Sequence, residues 1–237
     1  MKVLILAAGV GTRISRYLGE HPKSCVDVGG KPLIRRTMEL FYRHNITNIA
    51  IVTGYQEKYI HEALSGFDYK TYKNPFYKVT NSIASMWFAK DFMDYDDDML
   101  ILNGDLFFED IMLEKLIEIP KSPLFLSDSS RIDNADYRFY WENDRLLKFG
   151  KELSNEETSG EYVGIAKIEK KDMKIMRAQL EYLIDKGEYN MWWEDVLYSL
   201  VETNKPIYIE DINGSFWAEV DFIEDYERIK EFIKIPN

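Results

Sequence analysis

From Lys2 to Leu102 the chain alternates short β-rich runs with stretches of helical spacing, and this alternation narrows the fold more than any other feature. Lys2–Leu6 reads as a buried strand, and Pro32–His44 as a helix with proline in its first turn. Asn48–Val52 and Gln56–Leu64 repeat the pair. Tyr69–Tyr72 follows as a third strand, and Ser82–Phe92 as a helix behind the polar cap Thr80–Asn81. Met99–Leu102 is the next strand and runs into Asn103-Gly104-Asp105. Such a βαβα order predicts an α/β fold with a mostly parallel sheet and helices on both faces. Beyond it the pattern loosens. Strands are expected at Pro123–Ser127, Tyr137–Glu142, Leu146–Phe149 and Tyr162–Ile168. Met173, Met176, Leu180 and Leu183 keep helical spacing, giving a helix from about Lys170 to Lys186. A helix at Trp193–Glu202, strands near Ile207–Ile212 and Phe216–Glu219, and a helix at Ile223–Phe232 complete the reading. No repeat, low-complexity tract or linker interrupts residues 1–237, so they are read as one domain.

Composition excludes several classes. A net charge of −11 argues against general affinity for nucleic acid or an anionic membrane, since both need excess Lys and Arg. No apolar run approaches the length of a transmembrane helix, and the N-terminal one is shorter than a usual signal-peptide core. No stable membrane association is therefore expected. The single Cys25 cannot form an internal disulfide, which fits the cytoplasm. Asp94, Asp96, Asp97 and Asp98 crowd like charges without a ligand spacing and read as a solvated loop.

The turn after the first strand matches none of the familiar phosphate-binding motifs. Gly9-Val10-Gly11 is followed by Thr12, Arg13 and Ile14, so the dinucleotide fingerprint lacks its third small residue. Its acid is also missing, because the second strand ends Val52-Thr53-Gly54-Tyr55. The Walker pattern fails for want of a correctly spaced Gly-Lys-Ser/Thr. What remains is a glycine turn whose backbone N–H groups can approach a phosphate, with Arg13 and Lys23 able to fold back on it. By itself such a turn is equally an ordinary βα connection.

Its neighbours change that judgement. Leu6-Ala7-Ala8-Gly9-Val10-Gly11-Thr12-Arg13, Pro22-Lys23 and Gly30-Lys31-Pro32-Leu33-Ile34 resemble the signature of the nucleotidyltransferases that make nucleoside-diphosphate sugars and CDP-alcohols. Val52-Thr53-Gly54-Tyr55, Asn103-Gly104-Asp105 and Trp217-Ala218-Glu219-Val220-Asp221 continue the likeness in order along most of the chain. Asn74-Pro75-Phe76-Tyr77 with Asn81 and Ser85, and the run Gly160 to Lys167, are similar to the branch that includes phosphocholine and phosphonate cytidylyltransferases. The resemblance implies a Rossmann-like nucleotide-diphospho-sugar transferase fold with a small substrate-side β/α subregion. Residues 1–120 would form mainly the nucleotide-binding half and residues 121–237 mainly the acceptor half. It implies transfer of CMP from CTP to a small phosphorylated or phosphonate acceptor, with Mg²⁺ as cofactor and pyrophosphate as product. The product would be a CDP-activated head group for a surface glycan or phospholipid. A homodimer is compatible with the sequence.

A phosphate monoester is largely dianionic near neutral pH, so the nucleophile needs no histidine base. His21, His44 and His61 indeed form no constellation. Catalysis then rests on positioning and electrostatics. By the resemblance, Asp105 and Asp221 are the metal ligands, with Glu219 a weaker candidate on the same strand face as Asp221. Lys23 would contact the α-phosphate and the incoming phosphoryl group, and Arg13 the β- and γ-phosphates. Leu6, Ala7, Ala8, Gly9, Gly11, Thr12, Gly54, Tyr55 and Gly104 would frame the nucleotide. Asn81 and Ser85, four apart on one helical face, would meet the pyrimidine edge, although Asn81 also reads as a helix N-cap. Tyr189, Trp192 and Trp193 would enclose a quaternary ammonium, the plain alternative for such aromatics being core. Asp136, Arg138 and Glu161 complete the acceptor side, and Asp136, Glu194 and Asp195 could face an amine. Two rival readings share these residues: a sugar-1-phosphate nucleotidyltransferase, and a catalytically silent nucleotide-binding regulator.

Overall fold

The computed structural model describes residues 1–11, 14, 19–203 and 205–234. Strand β1 (Lys2–Ala7) is buried along its whole length because its alternate residues feed two different cores. Leu4 and Leu6 face one side, with Ala50, Val52 and Ile101 of the neighbouring strands. Val3 and Ile5 face the other, with Ile49, Ile51, Leu100 and Leu102. The elements after β1 run α1 (Leu33–Arg43), β2 (Asn48–Thr53), α2 (Glu57–Ala63), β3 (Lys70–Lys73), α3 (Ser82–Phe88) and β4 (Met99–Asn103). Then come β5 (Leu106–Phe108), α4 (Asp110–Glu118), β6 (Leu124–Asp128), β7 (Arg138–Glu142), β8 (Arg145–Gly150) and β9 (Gly160–Ile168). The chain closes with α5 (Lys170–Asp185), α6 (Asp195–Glu202), β10 (Tyr208–Asp211), β11 (Trp217–Glu219) and α7 (Ile223–Lys234).

Nine strands form one sheet in the order β3-β2-β1-β4-β9-β6-β10-β8-β7. Strands β3, β2, β1 and β4 are mutually parallel, as the βαβα reading requires. Strand β9 lies antiparallel between β4 and β6, and β6 pairs in parallel with β10. The β7–β8 hairpin folds back so that Arg138 and Phe139 also pair with Glu161 and Gly160 at the start of β9. One face is covered by α3, α5 and α6 through Ile83, Met86, Met173, Met176, Leu180, Val196 and Leu197. The other is covered by α1, α2 and α4 through Ile34, Met38, Phe41, Ile60, Met112, Leu113 and Leu116. A third, smaller core of Val26, Val28, Leu33, Ala218, Val220 and Ile229 seats α7 against β11.

Several expectations are corrected. The helix expected through Phe92 stops at Phe88, with a separate 3-10 turn at Lys90–Phe92. Pro32 sits in extended backbone just before α1 rather than inside its first turn. Strand β5 and helix α4 were not expected at all: β5 is three residues long, and α4 shows only Met112, Leu113 and Leu116 as its buried set. The aspartate cluster is not merely solvated. Asp94 and Asp96 both pair with the ammonium of Lys2, whose side chain is 1% exposed, and so clamp the first turn of β1 to the loop before β4. Asp98 accepts the Lys170 backbone N–H at 2.8 Å.

Candidate active site

Strands β1 and β4 are neighbours, while β1 connects onward to β2 on its other side. The crevice at their carboxyl ends is therefore the switch point where α/β sheets hold ligands. Leu6 pairs with Asn103 across the two strands, so the turn after Ala7 and the turn Asn103–Asp105 leave the sheet side by side. Gly104 donates its N–H to the Leu6 carbonyl at 2.8 Å. A Cβ on Gly104 would lie 2.7 Å from the Ala7 Cβ, so this close approach needs glycine. Tyr55 donates to the Ala8 carbonyl at 3.0 Å, which ties the second-strand turn to the back of the glycine turn.

Three charged side chains converge in this crevice. Lys23 stands at the start of a 3-10 turn, and its stem crosses the open side of Gly11, where a Cβ would be 2.3 Å from the Lys23 Cγ. Its Nζ lies 2.7 Å from Asp105 Oδ2 and also pairs with Asp221 Oδ1. Asp221 reaches Asp105 through the short ribbon of β5 and β11, which pair antiparallel, with Val220 N–H donating to the Asp105 carbonyl at 3.1 Å. Burial alone would pull the Lys23 ammonium down, but the two carboxylates together outweigh it and hold the ammonium above its ordinary range.

Behind this group lies a buried polar layer. Asn103 donates from one amide nitrogen to Glu219 Oε1 at 2.7 Å and to Glu194 Oε1 at 3.3 Å. Its carbonyl accepts from Trp193 Nε1 at 2.8 Å, which fixes the orientation of the amide. Gly164 on β9 has φ +92°, and a Cβ there would lie 2.4 Å from Glu219 Oε1. Burial pushes the Glu194 carboxyl up to about 8. Burial and the nearby Asp105 charge push Glu219 well above its ordinary value.

A cleft of about 410 Å³ opens over these groups, lined by Leu6, Ala7, Ala8, Gly9, Gly11, Lys23, Gly104, Asp105 and Asp221 among others. Asn81 and Ser85 reach the wall together with Asn74, Tyr77 and Thr80. The Asn81 carbonyl oxygen caps α3 by accepting from Ser82 N–H at 2.8 Å, while Ser85 is buried and accepts from Asn74 Nδ2 at 3.0 Å. The lining also includes Asp136, Tyr137, Lys151, Tyr162, Trp192, Glu194 and Tyr198. Tyr137 stacks on Tyr198 with ring centroids 5.4 Å apart and meets Trp192 edge-on at 6.2 Å. Lys151 pairs with Asp136 at 2.8 Å and lies 5.7 Å over the Trp192 ring.

Other expected residues lie elsewhere. Trp193 is not on the wall; it is fully buried, spent on the core and on Asn103. Tyr189 is exposed and contributes its backbone carbonyl to the Asn81 N–H at 2.8 Å. Arg138 turns to Asn155 and Thr158, because its strand register pairs it with Glu161 at the sheet edge. Glu161 is buried, ion-paired with Arg131 at 2.7 Å, and accepts the Asp136 N–H at 2.7 Å; it holds the loop at Asp136 from behind. Gly54 and Tyr55 back the glycine turn rather than line the cleft. Thr12 and Arg13 lie outside the described residues. Asn103, Tyr137, Lys151, Tyr162 and Tyr198 were not among the expected site residues. Asn103 carried a signal as the first residue of Asn103-Gly104-Asp105, Tyr162 as part of the run Gly160 to Lys167, and Tyr137 as the neighbour of Asp136 and Arg138.

Two carboxylates that converge on one cationic centre suit a hard divalent ion, which takes oxygen ligands. Here the Lys23 ammonium stands in for such a cation. Among the described residues, His44, Asp110 and Glu114 also bring ligand atoms within 4.8 Å of one another, but not in the cleft, and Asp110 is already paired with Arg43 at 3.0 Å. No helix among the described residues is long and apolar enough to cross a membrane.

The chain is 26% identical to CTP:phosphoglutamine cytidylyltransferase of Campylobacter jejuni, over 96% of this chain and 98% of that one. It is 27% identical to choline-phosphate cytidylyltransferase of Haemophilus influenzae, over 100% and 99% respectively. Its fold superposes on the CTP:phosphocholine cytidylyltransferase of Streptococcus pneumoniae with a TM-score of 0.82, covering 98% of this chain and 99% of that one at 20% identity. The fold is thus that of the nucleotide-diphospho-sugar transferases. Residues 3–123, just over half of the chain and the part that holds the glycine turn, Lys23 and Asp105, match the family model described as the MobA-like NTP transferase domain, and the chain belongs to that family.

Proposed function

We propose that the protein transfers CMP from CTP to a small phosphorylated or phosphonate acceptor and releases pyrophosphate. The observation that carries this reading is the meeting of Lys23, Asp105 and Asp221 beside the glycine turn. An acceptor phosphate oxygen attacks the α-phosphorus of CTP; the new O–P bond forms as the bond to the bridging oxygen of pyrophosphate breaks, and that oxygen leaves with the electron pair. The acceptor arrives as a dianion, so no base is needed, and none of the three histidines lines the cleft. The glycine turn offers backbone N–H groups to the phosphates. Lys23 bridges the two phosphoryl groups as a compact cation and offsets their repulsion, while Arg13 holds the β- and γ-phosphates. Asp105 and Asp221 would hold Mg²⁺, which when bound would supply positive charge to the phosphate oxygens. Residues 1–120 supply most of the nucleotide side, and residues 121–237 most of the acceptor side. A CTP-consuming reaction of this kind belongs in the cytoplasm.

Tyr137, Trp192 and Tyr198 stand together on the cleft wall near Asp195, an arrangement suited to a cationic group. The ammonium of Lys151 already lies over the Trp192 face. This favours amine-bearing acceptors of the phosphocholine, aminoethylphosphonate or phosphorylated amino acid type over sugar phosphates. The test is a pyrophosphate-release screen of CTP, UTP and dTTP against amino-alcohol phosphates, phosphorylated amino acids, aminoethylphosphonate and sugar 1-phosphates. Turnover is expected with CTP and an amine-bearing acceptor, and Asp221→Asn should remove it. Turnover confined to sugar 1-phosphates, or CTP binding with no turnover on any acceptor, overturns the reading.

A further inference from the structure

Lys23 has two tasks that it cannot perform at once. The reaction places its ammonium on the phosphates, yet in the ligand-free molecule that ammonium is bonded to Asp105 at 2.7 Å and to Asp221. The contact is built into the fold. Gly11 clears a track for the lysine stem, the β5–β11 ribbon holds the two acids together, and all three charged side chains are largely shielded from water. A divalent ion seated on those carboxylates would meet an ammonium at contact distance, and the two like charges cannot share the pair in a shielded crevice.

We infer that Lys23 is a placeholder for the metal: without nucleotide it bridges Asp105 and Asp221 and keeps a divalent cation out, and the nucleotide's phosphates draw it away. Metal uptake is thereby coupled to nucleotide arrival. The stem that lies across Gly11 lets the ammonium move from acids to phosphates without the 3-10 turn moving. This inference rests on the reading of Asp105 and Asp221 as the metal pair, so the experiment separates the two.

Mn²⁺ serves as the probe, its free concentration read by electron paramagnetic resonance. Without nucleotide, Lys23→Met should bind Mn²⁺ at least about tenfold more tightly than the wild type, because one positive charge beside the acids has gone. Adding Asp221→Asn to that variant should abolish the gain. Lys23→Gln, which keeps a polar donor, should behave like Lys23→Met, and Mn²⁺ should raise the melting temperature of either variant more than that of the wild type. The inference is overturned if the Lys23 variants are folded and bind Mn²⁺ no more tightly than the wild type, while CTP still recruits Mn²⁺ to the wild type in an Asp105-dependent manner. In that case the metal pair stands and the placeholder falls. If CTP recruits no Mn²⁺ and Asp105→Asn changes nothing, the metal pair itself falls and takes the placeholder with it.

Discussion

Gly164→Ala tests how the buried polar layer is held. Gly164 lies within β9, has φ +92°, and would place a Cβ 2.4 Å from Glu219 Oε1. Two costs follow. An L side chain at positive φ costs about 1–2 kcal/mol. Glu219 must also move, and the bond it accepts from Asn103 at 2.7 Å is then lost or stretched in a buried setting, for about 1–3 kcal/mol. Together these come to about 3 kcal/mol, which for a chain of this size lowers the melting temperature by roughly 6–12 °C. The second cost depends on Glu219 and the first does not, so a double-mutant cycle separates them. In a Glu219→Ala background, Gly164→Ala should cost only the backbone share, about 1–2 kcal/mol. Thermal and urea unfolding of the four proteins measure this. A Gly164→Ala protein that melts with the wild type, or one whose cost is the same in both backgrounds, would refute the packing argument.

The pH dependence of stability should carry a mark of Glu194. Burial raises its folded value from an ordinary 4.5 to about 8, so the folded protein keeps a proton that the unfolded chain releases. Its contribution is whole below about 4.5 and is lost as pH rises through 8, at up to about 1.4 kcal/mol per pH unit inside that window. Glu194→Gln should flatten the fall in urea stability between pH 5 and pH 8; an unchanged slope would count against it. Trp192→Ala should raise the KM for an amine-bearing acceptor about tenfold while leaving the KM for CTP near its wild-type value, as loss of a cation–aromatic contact requires. Trp193→Ala should instead destabilise the whole protein by about 3–5 kcal/mol, because that ring is fully buried; unfolding midpoints decide between the two behaviours.

The parallel half of the sheet was legible because β1, β2 and β4 carry continuous apolar runs that only a sheet covered on both faces can bury. The glycine turn, Lys23 and the two aspartates were legible through their resemblance to family motifs, and spacing alone did not join them. What joins them is β5, whose three residues are too few to show a period. The acceptor wall was read least well. Trp192 and Trp193 are adjacent in sequence, and only the packing of Phe125 and Asn103 on Trp193 and of Tyr137 on Trp192 decides which ring faces the cleft. Tyr137 and Tyr198 come from a hairpin edge and a helix that meet only in the folded molecule. The aspartate loop was misjudged because its partner, Lys2, lies at the far end of the sequence segment that it clamps.

The ribbon of β5 and β11 also sets a timetable. A ribosome that has released β1 to β4 has already made the glycine turn, Lys23 and Asp105, parts that the proposed function gives to the nucleotide side. Asp221 emerges only after the whole antiparallel half of the sheet, and it takes its place when three residue pairs zip against β5. The proposed chemistry, which needs both acids, is therefore withheld from the growing chain until β11 has left the ribosome.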